Sequence, residues 1–135
     1  MNNGEKKHYL KRYLVIKRRV ELLTEQIQEL RNSQTSITGL GDGMPKGNKK
    51  TDLSGYAAEF DILINKLEAE QQKQDIVYHE ILQAIDLIED VNEQEILTRH
   101  YLLDQNWREI EEKMKYSYGH ILKIHGKALQ NFSIK

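Results

Sequence analysis

The apolar residues of this chain are spaced alternately three and four positions apart along two long stretches, residues 5–31 and roughly 51–90. Such a repeat lines one face of an α-helix and is typical of helices that pack side by side as a coiled coil. The chain has one Pro, and four of its eight Gly fall in one segment, so both stretches can remain helical. The repeat of the first stretch is carried by Tyr9, Tyr13, Ile16, Val20, Leu23, Ile27 and Leu30. We therefore predict an all-α fold.

Residues 32–50 join the two stretches and contain four Gly, the single Pro and several Ser, Thr and Asn residues. This composition predicts a flexible linker, with Thr51 or Asp52 capping the second helix. The GLGDG run inside the linker lacks the Lys-Ser/Thr pair of a phosphate-binding loop. Nucleotide binding is therefore not expected there.

The two long helices are expected to pack against each other, because neither can bury its apolar stripe alone. We predict a long N-terminal antiparallel helical hairpin, coiled-coil-like, over residues 1–91, and we assign oligomerisation to it. Polar residues interrupt the second repeat at residues 68–75. The stripe beyond them, residues 76–88, extends past the first helix and needs either the C-terminal domain or a second copy as its partner. A homodimer or higher homo-oligomer is therefore expected.

Charge is segregated along the chain, although the net charge is only -1. Residues 1–31 hold eight Lys or Arg and four Asp or Glu, whereas residues 51–91 hold two and ten. Residues 115–135 hold four Lys and no acid. Because the local field decides nucleic-acid binding, the total does not exclude it. One face of the first helix is either solvated or contacts phosphate or a partner, through Lys6, Lys7, Lys11, Arg12, Lys17, Arg18 and Arg19.

Residues 92–135 are predicted to form a C-terminal three-helix domain. Asn92, with Glu95 three residues later, is the expected cap of a helix over residues 93–103. Residues 106–132 then form two helices joined by a tight turn. Ser117 stands where the second should begin, because a hydroxyl there accepts a hydrogen bond from a first-turn amide. The apolar residues of this pair are Trp107, Ile110, Met114, Ile121, Ile124, Ala128, Leu129 and Phe132.

The segment 93–132 resembles region 4 of the sigma-70 factors, the helix-turn-helix that reads the -35 promoter element. The motifs that carry the resemblance are LTRHY at residues 97–101, WREI at residues 107–110, Ser117, and the apolar series from Ile121 to Phe132. They cover about a third of the chain. The whole layout is similar to phage-encoded regulators of the RinA and ArpU type. This resemblance implies a phage transcription regulator that activates late genes, with double-stranded DNA and bacterial RNA polymerase as partners. The absence of Cys fits a reducing compartment, so a cytoplasmic location is expected.

A helix-turn-helix places the first turns of its second helix in the major groove. For a recognition helix over residues 117–132, we predict base-edge contacts from Tyr118 and His120 and phosphate contacts from Lys123 and Lys127. Ser117 caps the helix and offers its amide to a phosphate. The remaining candidates, which flank this surface, are Arg108 and Lys115.

Several residues of this segment have other roles open to them or depart from the sigma pattern. Tyr118 has the alternative of packing on the preceding helix, and Trp107 is expected to anchor the core rather than stack on bases. Gly119 and Leu122 stand where a sigma factor carries polar readers of the bases. Glu111 stands where it carries a small residue. The -35 specificity is therefore not carried over to this chain.

Composition and motifs also restrict the function classes. The chain has no Cys, hence no disulfide or thiolate metal site, and no apolar run approaches the roughly 20 residues of a membrane span. It lacks a recognisable catalytic set, so we expect no enzyme activity, no metal and no cofactor. Two alternative functions remain open. One is a DNA-packaging subunit like the small terminases, and the other is an RNA-polymerase-binding module without DNA readout.

Overall fold

The computed structural model describes the backbone of residues 1–39 and 49–134, and the side chains of residues 1–33 and 55–134. This part of the chain is all-helical, without a strand, as predicted. The helices are α1 (Asn3–Gly39), α2 (Lys49–Asp86), α3 (Val91–Leu97), a π-helical turn (Thr98–Leu102), α4 (Trp107–Met114) and α5 (Tyr118–Asn131). None of the described helices combines the length and apolar character needed to cross a membrane.

The long helices extend further than the sequence indicated. Helix α1 was expected to end at residue 31 but continues to Gly39, and α2 begins at Lys49, ahead of Thr51 and Asp52. The predicted linker over residues 32–50 is therefore helical at both ends. Its middle, residues 40–48, which includes most of the GLGDG run, lies outside the described residues.

The cap of α3 is Asp90, so the prediction of Asn92 is wrong. Asp90 has an extended backbone, with φ -78° and ψ 123°, and its carboxylate accepts a hydrogen bond from the Glu93 amide at 3.1 Å. A cap must precede the helix, and α3 already includes Asn92. The Asn92 amide instead donates to the Tyr116 hydroxyl at 3.3 Å. The helix predicted over residues 93–103 is also divided, because its second half is the π-helical turn.

Backbone contacts divide the chain into two units, and the first consists of Met1–Ile16 and the chain from Gln74 onward. The core of this unit includes most of the apolar stripe at residues 76–88. Val77, Ile81, Ile85 and Ile88 are all buried within their own chain, although Ile76 remains 58% exposed. The other buried apolar residues of this unit are Leu10, Ile16, Ile96, Leu97, Tyr101, Leu102, Ile110, Ile121, Ile124, Ala128, Leu129 and Phe132.

The first turns of α1 are held against the end of α5 within this unit. The Lys6 ammonium donates to the carbonyl oxygens of Leu129, at 2.7 Å, and Gln130, at 3.2 Å. The last turn of α5 has no basic residue of its own, so Lys6 serves carbonyls that would otherwise lack donors. The ring of Tyr9 packs beside Phe132, with 6.0 Å between the ring centres.

The second unit, Lys17–Lys73, contains the later part of α1 and the first part of α2. Ile27 is buried in it. The Arg31 guanidinium lies 5.2 Å from the centre of the Phe60 ring, which stacks on Tyr56 at 6.0 Å. Leu22 and Ile62 remain more than half exposed, so this unit leaves apolar surface uncovered.

Candidate nucleic-acid interface

Helix α5 has one buried side and one exposed side. Ile121, Ile124, Ala128 and Leu129 are buried where α5 packs on α3 and α4, and Ile110 of α4 is fully buried. These are the positions that the spacing of three and four residues assigned to the core. The opposite side of α5 therefore has no partner within the described part of the chain.

The connection between α4 and α5 is short and is fixed by caps at both ends. Helix α4 is capped at its start by Asn106, which exchanges reciprocal hydrogen bonds with Glu109. It ends at Lys115, whose backbone is left-handed, with φ 59° and ψ 39°. Ser117 then adopts φ -66° and ψ 158°, and its hydroxyl accepts from the His120 amide at 3.3 Å. The prediction that Ser117 begins this helix is confirmed.

The structure leaves every predicted DNA-contacting residue at the surface: Arg108, Lys115, Ser117, Tyr118, His120, Lys123 and Lys127 are all exposed. Tyr118 is 51% exposed, which does not fit its alternative role in packing on α4. The His120 ring meets the edge of Tyr116 at 4.6 Å between ring centres. Apart from the Ser117–His120 hydrogen bond, no hydrogen bond, ion pair or ring contact joins the seven candidates to one another in the described structure.

The side of α5 away from its buried stripe includes two glycines with open space around them. Leu122 is 39% exposed, and a Cβ added at Gly119 or Gly126 would meet no heavy atom within 4 Å. From Lys115 onward the sequence holds no carboxylate side chain, whereas Lys123 and Lys127 contribute positive charge. The exposed side of α5 is therefore free of carboxylate side chains. Glu111 of α4, the departure from the sigma pattern, is partly exposed.

An aromatic and histidine cluster lies behind the start of α4. The His100 ring stacks on Trp107 with 3.9 Å between the ring centres, and Trp107 meets His125 edge-on at 4.8 Å. His100 Nδ1 lies 2.9 Å from the Gln105 carbonyl oxygen. Trp107 is only partly buried, and it contacts the rings of both histidines of this cluster.

His125 and Tyr101 form the buried polar pair of the cluster. The Tyr101 hydroxyl lies 2.8 Å from His125 Nε2, and both residues are buried. Burial, with smaller contributions from His100 and Lys7, lowers the pKa of His125 to about 4. Burial raises the pKa of Tyr101 to about 12. The imidazole is thus neutral near pH 7, and its Nε2 shares a hydrogen bond with the Tyr101 hydroxyl.

The sequence interpretation missed this pair, although a signal was present. His125 lies four residues after Ile121 and four before Leu129, so it falls on the buried stripe of α5. A second missed contact joins the Asn131 amide to the Glu93 carboxylate at 2.6 Å, across the end of α5 and the start of α3. Both contacts fix α5 in place.

Two of the basic side chains of the α1 strip bind other groups of the same chain. Lys6 binds the α5 carbonyls, and Arg12 pairs with Glu80 at 3.0 Å. Lys7 and Lys11 remain exposed. The strip is therefore not a continuous row of free cations.

Comparisons with protein-family models, with curated proteins and with solved structures found no match to this chain.

Proposed function

We propose that this chain is a sequence-specific DNA-binding transcription regulator in which α4 and α5 act as a helix-turn-helix. The observation that carries the proposal is the two-sided character of α5. Its inner side is buried on α3 and α4, whereas its outer side is exposed, carboxylate-free and basic. A helix that enters the major groove needs both properties, because its inner side must be held rigidly while its outer side meets phosphates and base edges.

The exposed residues are assigned by their distance from the start of α5. Tyr118 and His120 lie in the first turn, where base edges are reached in a docked helix. Lys123 and Lys127 lie further along, where phosphates flank the groove. Ser117 caps the helix through its side chain, which leaves the free first-turn amides able to bind a phosphate.

The N-terminal part is proposed as the element that brings two such modules together. Within the second unit, α1 residues 19–26 share a groove with α2 residues 66–70, and Arg31 contacts Phe60. Later residues of α1 contact earlier residues of α2, and this order of contacts supports an antiparallel hairpin. A single module makes few base contacts, so a homodimer or higher homo-oligomer would supply the second half-site.

The biological setting is proposed from the resemblance to phage regulators: control of late phage genes, with RNA polymerase as a further partner. A DNA-packaging subunit would combine the same two parts. It would be identified by a closed ring of about eight or more subunits, whereas a dimer favours the regulator.

The test is DNA binding by fluorescence anisotropy with the full chain and duplexes obtained by in vitro selection. Lys123→Ala is expected to weaken binding and to lower the slope of log K against log salt by about 0.9, because one phosphate contact is lost. The matched control is Lys73→Ala, which removes the same charge from an exposed position on α2.

Equal losses in the two variants would contradict docking through α5. Absence of any DNA retention at low salt would instead favour the polymerase-binding module without DNA readout.

A further inference from the structure

The apolar surface that remains available for self-association lies in the second unit. Apart from Ile76, the stripe at residues 76–88 is largely covered within the first unit, so its burial no longer requires a second copy. The uncovered apolar surface of the second unit lies around Leu22, which is 57% exposed, and Ile62, which is 56% exposed. A large apolar side chain exposed at the centre of a helix marks a surface that gains free energy when covered.

A groove between α1 and α2 runs beside Leu22. Its apolar wall is formed by Leu22, Leu23 and Ala69, and its polar rim by Arg19, Gln26, Lys66 and Glu70. Glu70 Oε2 is buried without a hydrogen-bond donor in the described structure, while its other oxygen lies 3.6 Å from the Lys73 ammonium. A buried acceptor without a donor is destabilising, so this part of α2 is less well satisfied than the rest of the described helix.

The charges around Leu22 are self-complementary. Arg18 lies four residues before it and Glu25 three residues after it, which places both on the same flank of α1. Both are exposed, and neither forms an ion pair within the described part of its own chain. They are seven residues apart, about 10 Å along the helix, which is too far for them to pair with each other.

We propose that the Leu22 face binds a second copy of this chain, with the two α1 helices antiparallel about a two-fold axis at Leu22. In that arrangement Leu22 packs on Leu22 of the partner subunit. Arg18 meets the partner's Glu25, and the two-fold axis repeats this pair. Arg19 and Gln26, on the other flank, approach the polar rim of the partner's groove. The inference deepens the proposed function, since it locates the pairing on which two half-sites depend.

The contact is centred on one helix pair, so it is small beside the roughly 1,200–2,000 Å² of a stable protein interface. A dissociation constant in the micromolar range, about 1–100 μM, is therefore expected.

The test is sedimentation equilibrium of the full chain without DNA, at roughly 1–300 μM. The wild-type chain is expected to dimerise, and Leu22→Glu to weaken the dimer at least tenfold. The control is Thr24→Glu, which adds one negative charge on the opposite side of α1 and should leave the dimer unchanged. Circular dichroism checks that each variant keeps its helical content.

Exchanging the charges of Arg18 and Glu25 tests the antiparallel arrangement of the two α1 helices, even if Leu22→Glu fails to fold. Arg18→Glu and Glu25→Arg should each weaken the dimer several-fold, because each places like charges together twice. The double variant should return to within about twofold of the wild type. A monomer at 300 μM, a larger assembly, or a double variant as weak as the singles would each overturn the proposal. These results use no DNA, so they leave the outcome for Lys123→Ala unaffected.

Discussion

The buried His125 makes the stability of this protein depend on pH in a range where ordinary surface groups contribute little. His125 is only 7% exposed, and its Nε2 lies 2.8 Å from the Tyr101 hydroxyl oxygen. Protonation would place a charge in a buried site, where His100 and Lys7 add to the unfavourable effect of burial. Burial accordingly lowers the pKa of His125 from 6.5 to about 4.

The direction of this pH dependence follows from the difference between the pKa of His125 in the unfolded and in the folded chain. The unfolded chain takes up a proton on His125 below about pH 6.5, whereas the folded chain does so only near pH 4. Stability contributed by the neutral imidazole is therefore present above pH 6.5 and is lost as pH falls towards 4. Linkage gives a loss of about 2 kcal/mol between pH 7 and pH 5, and about 3 kcal/mol when the change is complete.

The assay is urea unfolding followed by circular dichroism at several values between about pH 7 and pH 4.5. His125→Gln retains a hydrogen-bonding side chain but does not titrate, so its stability should fall less steeply than that of the wild type. His8 is exposed, and His8→Gln is the control that should keep the wild-type slope. Identical slopes for the wild type and His125→Gln would refute the reasoning, whatever their absolute stabilities.

Two substitutions near the interface should raise stability. Lys115→Gly relieves the left-handed backbone at the end of α4 and should add about 0.5–1 kcal/mol to the free energy of unfolding in urea; a loss would show that the Lys115 side chain is needed there. Gly126→Ala should add about 0.5–1 kcal/mol, because the new Cβ meets nothing within 4 Å and Ala favours the helix. If α5 docks through this side, the same variant should bind DNA more weakly while being more stable; reduced stability would contradict the open space seen at Gly126.

The local sequence pattern was sufficient to predict the buried side of α5 and the residue that caps it. The three-and-four spacing of Ile121, Ile124 and Ala128 identified the buried side of α5, because helical periodicity alone assigns residues to a face. Ser117 was identified as the cap for an equally local reason. The Asn92 prediction failed because two residues with capping side chains lie close together, and the choice depends on which one takes the extended backbone.

Other contacts could not be read from local pattern. Lys6 binds a carbonyl 123 residues away, and Tyr101 meets His125 across 24 residues. The sequence placed Lys6 on a basic strip, where it was as consistent with a solvated or phosphate-binding role as with a cap. Which role it takes depends on where the end of α5 lies, and that position is set by packing.

By itself the sequence determined that this chain is helical, where its apolar stripes lie and which side of α5 carries no carboxylate, since each of these follows from residues within a few turns of one another. Only the tertiary structure decided that most of the stripe at residues 76–88 is covered within its own chain, and that Leu22 is left exposed. Two amphipathic faces of similar pattern are equally able to bury apolar area, because the hydrophobic effect is non-directional. The choice between them depends on which partners the folded backbone brings within reach.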